Sequence, residues 1–199
     1  MKKNGNQKFI TKKDIPNILT LFRFILIPVF IFVFFSDIEH ATWIAMVVFL
    51  TAGLTDVIDG YLARKYNWVS DLGKMMDPFA DKMMVCTVLV CLCIEKLVPI
   101  WAVALIIAKE MFMLISGLII FKRKDTVVVS SWAGKSAVCL IYAVIATVML
   151  SHTNIIEIHK TVIYALCLLA VLAAFAALAI YSAAYAKSQK SDSQTKKEV

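Results

Sequence analysis

Apolar runs long enough to cross a bilayer recur along almost the whole of this chain, and they leave little choice of fold. As a helix, about 20 residues suffice to cross a hydrocarbon core of roughly 30 Å. Six runs of this kind fall at about 16–36, 42–63, 75–95, 98–121, 136–151 and 157–185. The fifth is short, and the last is long enough to run on past a membrane. Hydrophobic residues make up 61% of the chain, against ~45–50% in soluble proteins. The pattern predicts an all-α integral membrane protein with six transmembrane helices over residues 16–185. Residues 1–15 read as a cytoplasmic or interfacial segment, and the Ser-, Lys- and Gln-rich residues 186–199 as a disordered cytoplasmic tail.

Basic residues set the expected orientation. Lys2, Lys3, Lys8, Lys12 and Lys13 precede the first run, and Arg64, Lys65 and Lys74 separate the second from the third. Lys122, Arg123, Lys124 and Lys135 separate the fourth from the fifth, and Lys187, Lys190, Lys196 and Lys197 follow the sixth. The alternate loops hold only Lys96 and Lys160. The positive-inside bias therefore puts both termini on the cytoplasmic side of a cell membrane, with the net charge of +7 facing anionic lipid headgroups. A basic chain can also bind nucleic acid, but here the charge is spread over loops and not gathered on one soluble domain, so no nucleic-acid partner is expected. The first 15 residues are polar and the first apolar run exceeds a signal-peptide core, so no cleavable signal is expected. Cys86, Cys91, Cys93, Cys139 and Cys167 all fall inside apolar runs with no C-x-x-C pair, and read as small packing residues.

Against this background one stretch is anomalous: Asp56-x-x-Asp59-Gly60-x-x-Ala63-Arg64, eight residues, then Gly73-x-x-x-Asp77-x-x-x-Asp81. An aspartate at the centre of a membrane helix costs roughly 2.5–3.5 kcal/mol, so four of them need compensation. Asp56, Asp59, Gly60 and Ala63 stand at i, i+3, i+4 and i+7 on one helical face, at the cytoplasmic end of the second run. Gly73, Asp77 and Asp81 stand at i, i+4 and i+8 at the start of the third, with a short loop of about Lys65 to Leu72 between. Gly60 and Gly73 would let a ligand approach the backbone closely. Carboxylates with no His or Cys beside them describe an oxygen-only site, suited to Mg²⁺ or Mn²⁺ and not to zinc. Four exceed what one Mg²⁺ takes, whereas two ions about 4 Å apart would use them all and could clamp a phosphoryl displacement. Arg64 adds a fork that can pair phosphate oxygens. Two other readings are open: structural ion pairs with Arg64, Lys74 and Lys82, or a cation-transport path.

Asn17, Thr20 and Arg23 form a polar stripe on the first run, where helix capping and interhelical bonds compete with substrate contact; for Arg23 the expectation is an active-site role. Lys109 and Glu110 read either as an internal ion pair or, through Lys109 with Arg123 and Lys135, as a pocket for the phosphate of an acceptor. His40, His152 and His159 fall on the outer side, away from the aspartates.

The string D-x-x-D-G-x-x-A-R-x(8)-G-x-x-x-D-x-x-x-D resembles the signature of the CDP-alcohol phosphatidyltransferases. The likeness extends through Pro16-Asn17-x-x-Thr20-x-x-Arg23 and Asp77-Pro78-x-Ala80-Asp81-Lys82, and is similar to that of the family's bacterial phosphatidylglycerophosphate synthases. It implies the family's six-helix membrane fold, usually as a homodimer, and release of CMP from CDP-diacylglycerol by an alcohol acceptor. By resemblance, Asp56, Asp59, Asp77 and Asp81 hold the metals, and Asp81 is the general base on the acceptor hydroxyl. Asp56, Asp59, Gly60, Ala63, Arg64, Gly73 and Asp77 would bind the cytidine diphosphate. The acceptor it implies is a small polar alcohol, sn-glycerol 3-phosphate, giving phosphatidylglycerophosphate. Phosphatidylglycerol, as in the related cardiolipin synthases, is the alternative. At the acceptor end the chain departs from those synthases, with Lys109-Glu110 in place of Arg-Glu and Gly134-Lys135-Ser136 in place of a longer G-K-x-K-T motif.

Overall fold

The computed structural model describes residues 15–66, 71–123, 132–153 and 158–195. Side chains are described for all of these except 15–17, 59–60, 62–64, 71–78, 118–123, 132–133, 135 and 184–195. Within them the chain forms six helices and no strand: α1 (Ile15–Phe34), α2 (Ala41–Tyr66), α3 (Asp71–Ile94), α4 (Ile100–Arg123), α5 (Trp132–His152) and α6 (Lys160–Thr195). Among the described residues, Ala41–Ile58, Ile100–Gly117 and Lys160–Ala183 are long and apolar enough to cross a membrane, and Ile18–Phe34 and Ser136–His152 are shorter apolar helices. The chain divides into two compact units, Met1–Thr87 and Val88–Val199.

In the first unit α1 packs on α2. On α1 the buried residues are Thr20, Arg23, Leu26, Phe30 and Phe34, a single stripe at helical spacing. Leu21, Phe22, Ile25 and Phe32 point the other way and are exposed. An outward surface this apolar suits lipid and not water. On α2, Ala45, Phe49 and Ala52 are buried, again at i, i+4 and i+7. Counting on in the same register leads to Asp56, so the inward face of α2 turns from apolar to acidic. The start of α3 adds Ala80, Met84 and Val85 to this unit's core, and Phe79 meets Phe24 of α1 with ring centroids 6.2 Å apart.

The second unit is built on α6, which packs on both α5 and α4. Its buried stripe of Ile163, Cys167, Ala170, Val171, Ala174 and Ala177 is mostly small, which lets helix backbones approach closely. A cavity of about 10 Å³ lies among Leu92, Val98, Ile106, Ile145 and Cys167. Its lining is apolar and its size is at the lower limit for one water, so it is a packing void.

Among the described residues, two turns hold non-glycine residues in the left-handed region: His40 at φ 65° and Lys96 at φ 56°. Lys96 closes α3. Its N–H bonds the Cys93 carbonyl at 3.0 Å, and the Leu97 N–H bonds the Leu92 carbonyl at 3.0 Å. This pair of bonds is the Schellman pattern, which glycine usually completes.

Helix ends depart from the expectations based on hydropathy. α2 runs to Tyr66 and α3 starts at Asp71, so the expected loop of Lys65 to Leu72 narrows to residues 67–70, which lie outside the described residues. α6 continues to Thr195, so residues 186–195 are helical where a disordered tail was expected. A formed helix propagates at little cost through Ala, Lys, Gln and Ser, and no Gly or Pro interrupts this stretch.

Candidate active site

The candidate site grows out of the acidic end of α2. Because α2 is one unbroken helix to Tyr66, Asp56, Asp59, Gly60 and Ala63 keep the one-face register that their spacing predicts. The same holds for Gly73, Asp77 and Asp81 on α3, whose helix runs unbroken from Asp71. Four residues separate the two helices, too short a link to let their acidic ends part far.

Of the expected site side chains, Thr20, Arg23, Asp56, Asp81 and Lys109 are described; those of Asn17, Asp59, Gly60, Ala63, Arg64, Gly73, Asp77, Arg123 and Lys135 lie outside the described residues. Arg23 Nη1 donates to Asp56 Oδ1 at 2.6 Å, joining α1 to α2 across 33 positions of sequence. The two partners differ sharply in environment. The Arg23 side chain is 1% exposed and that of Asp56 37%. Thr20, one turn before Arg23, is buried on the same stripe. Thr20 and Arg23 of the polar stripe on α1 are therefore turned into the protein, and one contact of Arg23 in the first unit is a motif carboxylate.

Asp81 is 16% exposed, and its Oδ2 lies 3.9 Å from Lys82 Nζ, a loose ion pair between sequence neighbours. Lys65, at the end of α2, sits over the rings of Tyr61 and Tyr66 at 5.4 and 5.6 Å. Such a cation held between amphipathic rings suits the headgroup level of a membrane.

In the second unit Lys109 Nζ donates to Glu110 Oε1 at 2.7 Å, and both side chains are 2% exposed. Of the two readings of these residues, the internal ion pair is thus present. Buried on α4 among apolar neighbours, each charge compensates the other.

The donor set fits a divalent cation in kind, with carboxylates at one-turn spacing on two successive helices. Among the described residues no three His, Cys, Asp or Glu side chains stand close enough to hold an ion; the side chains of Asp59 and Asp77 lie outside them. Sequence reasoning did not find the link between Arg23 and Asp56. The available signal was charge balance, since a lone arginine in an apolar helix must find an anion.

Residues 13–184 match the family model for CDP-alcohol phosphatidyltransferases, a stretch that includes all four motif aspartates. The chain belongs to the CDP-alcohol phosphatidyltransferase family. Among curated relatives it is 42% identical over 106 residues to a CDP-diacylglycerol–glycerol-3-phosphate 3-phosphatidyltransferase of Rickettsia felis, covering 53% of this chain and 58% of the relative. With the enzyme of that name from Haemophilus influenzae it shares 48% over 79 residues, 40% of this chain and 43% of the relative. A Mycobacterium tuberculosis protein named a probable phosphatidylglycerophosphate synthase is 35% identical over 125 residues, 61% of this chain and 59% of the relative. The similarity to each of these relatives thus spans less than two thirds of its length.

Proposed function

We propose that this protein transfers the phosphatidyl group of CDP-diacylglycerol to sn-glycerol 3-phosphate, giving phosphatidylglycerophosphate and CMP. The observation that carries the reading is the family match over residues 13–184, which takes in the whole aspartate motif. The names of the curated relatives support the choice of both substrates. In this reading all six helices span the cell membrane as a multi-pass homodimer, with both termini and the active site on the cytoplasmic side.

Asp56, Asp59, Asp77 and Asp81 would hold the cations, Mg²⁺ or Mn²⁺ and two in number. Bound there, they would supply charge neutralisation on the diphosphate of the lipid nucleotide. The chain's own groups do the rest. Gly60 and Gly73 admit the nucleotide to the helix backbones, and Arg64 pairs its phosphate oxygens. The nucleophile is an alcohol of high pKa, so Asp81 takes its proton as the oxygen attacks the phosphorus that carries the diacylglycerol. The new O–P bond forms as the bond to CMP breaks, and CMP leaves with the electron pair. The acceptor phosphate falls to Arg123 and Lys135, with Asn17 and Thr20 as further substrate contacts. Lys109 is placed less directly, since Glu110 already meets its charge.

The test is an acceptor panel. Purified protein in nanodiscs receives CDP-diacylglycerol and Mg²⁺, with glycerol 3-phosphate, phosphatidylglycerol or inositol phosphate offered separately, and CMP is measured. Glycerol 3-phosphate should drive release. Release with phosphatidylglycerol alone would make the protein a cardiolipin synthase, and release with none would remove the reading.

A further inference from the structure

We propose that the outward face of α2 seats one anionic diacyl phospholipid, with its phosphate on Lys65 and one acyl chain along the apolar stripe before it. The proposal needs only that α2 spans a bilayer, for which Ala41–Ile58 is long and apolar enough. Val47, Leu50, Leu54, Val57 and Tyr61 are all exposed and follow one another at intervals of three and four residues, so they form one continuous stripe. Lys65 stands one turn beyond Tyr61 and is exposed as well. Leu50 to Tyr61 runs roughly 16 Å along the helix, at about 1.5 Å per residue, close to the depth of one leaflet of a ~30 Å core.

The polar end decides what the stripe holds. Lys65 Nζ lies 5.4 Å from the centre of the Tyr61 ring and 5.6 Å from that of Tyr66, and both rings are exposed. Rings orient an ammonium without neutralising it. Among the described residues no carboxylate pairs with Lys65, whereas Lys82 and Lys109 each stand beside one. A cation held at headgroup level with its charge unmet attracts an anionic headgroup. Free phosphate would meet that charge but leave the apolar stripe uncovered. A second copy of the chain, related by a two-fold axis along the membrane normal, would bring its own Lys65 to the same depth, and the like charges would repel. The seat is separate from the proposed reaction centre, because it lies across α2 from Ala45, Phe49 and Ala52, which are buried and in register with Asp56.

The test is native mass spectrometry of the full chain, with phosphatidic acid and phosphatidylcholine of the same acyl chains titrated in competition. Phosphatidic acid is the probe because neither the proposed reaction nor its cardiolipin alternative consumes it. The parent should retain one phosphatidic acid in preference to phosphatidylcholine. Lys65→Gln should lower that preference about fivefold, the weight of one basic residue at an anionic surface, and Lys65→Arg should keep it. Tyr61→Leu retains the charge and loses the ring, and should lower the preference too. Lys12→Gln removes the same charge ahead of α1 and should leave it nearly unchanged. Equal losses for Lys12→Gln and Lys65→Gln, or no loss for either, would overturn the proposal, since the attraction would then be diffuse. Displacement of the lipid by inorganic phosphate would overturn it by making the seat one for a free anion. Displacement by CDP-diacylglycerol with Mg²⁺ would overturn it by making the seat part of the substrate site. A two-chain parent that Lys65→Gln splits, with lipid binding unchanged, would give the face to a second copy and overturn it likewise.

Discussion

Removing Asp56 should cost far more stability than removing the charge of Arg23, although the two form one pair. A charge-assisted hydrogen bond contributes ~1.5–3 kcal/mol, and stranding a buried partner raises the loss to ~3–5 kcal/mol. Asp56→Ala takes a short charge-assisted bond from a guanidinium that is 1% exposed and that water does not reach, so its cost belongs at about 3 kcal/mol or more. Arg23→Met keeps the volume of the side chain and leaves a carboxylate that is 37% exposed, which water can solvate. Its cost should be about 1–2 kcal/mol, the value of a partly hydrated bond. The assay is reversible unfolding in mixed micelles as the fraction of denaturing detergent rises, followed by helicity. Chelator must be present throughout, because a bound cation would stabilise the folded state by mass action and blur the comparison. Equal losses, or a larger loss for Arg23→Met, would show that burial does not govern this pair.

Glu110→Ala should destabilise the fold by ~3–5 kcal/mol by stranding Lys109, and Lys109→Met with Glu110→Leu should recover most of that in the same unfolding assay. Lys96→Gly should stabilise by about 0.5–1 kcal/mol, since glycine adopts the left-handed φ of the α3 cap without a Cβ penalty; a loss would mean the Lys96 side chain matters more than its backbone. Asp81→Asn should cut turnover by ~10²-fold or more while CDP-diacylglycerol still binds, as measured by equilibrium titration; normal turnover would transfer the base role elsewhere.

Much of this architecture is legible in the sequence, because lipid imposes simple rules. Apolar runs locate all six helices, and the i, i+3, i+4, i+7 spacing of Asp56 to Ala63 survives intact on α2. Helix ends are less legible. α5 begins at Trp132, four residues before its expected start at 136, because Gly134, Lys135 and Ser136 are polar but still continue the backbone hydrogen-bond ladder. Hydropathy measures the membrane boundary, whereas caps and propensity set where a helix stops, and α6 passes its membrane boundary by the same logic. The Lys109–Glu110 pair is visible as adjacent letters. The Arg23–Asp56 pair is not, for 33 residues separate its members and only the packing of α1 on α2 brings them together.

In the proposed reaction the aspartates act through divalent cations on CDP-diacylglycerol. The most direct measurement follows CMP and phosphatidylglycerophosphate together, from CDP-diacylglycerol and glycerol 3-phosphate, in Mg²⁺ and then in excess EDTA. The two products should form one for one with Mg²⁺, stop in EDTA, and stay absent for Asp59→Asn at any Mg²⁺ concentration. Full turnover in EDTA, or CMP formed without consumption of glycerol 3-phosphate, would contradict the account.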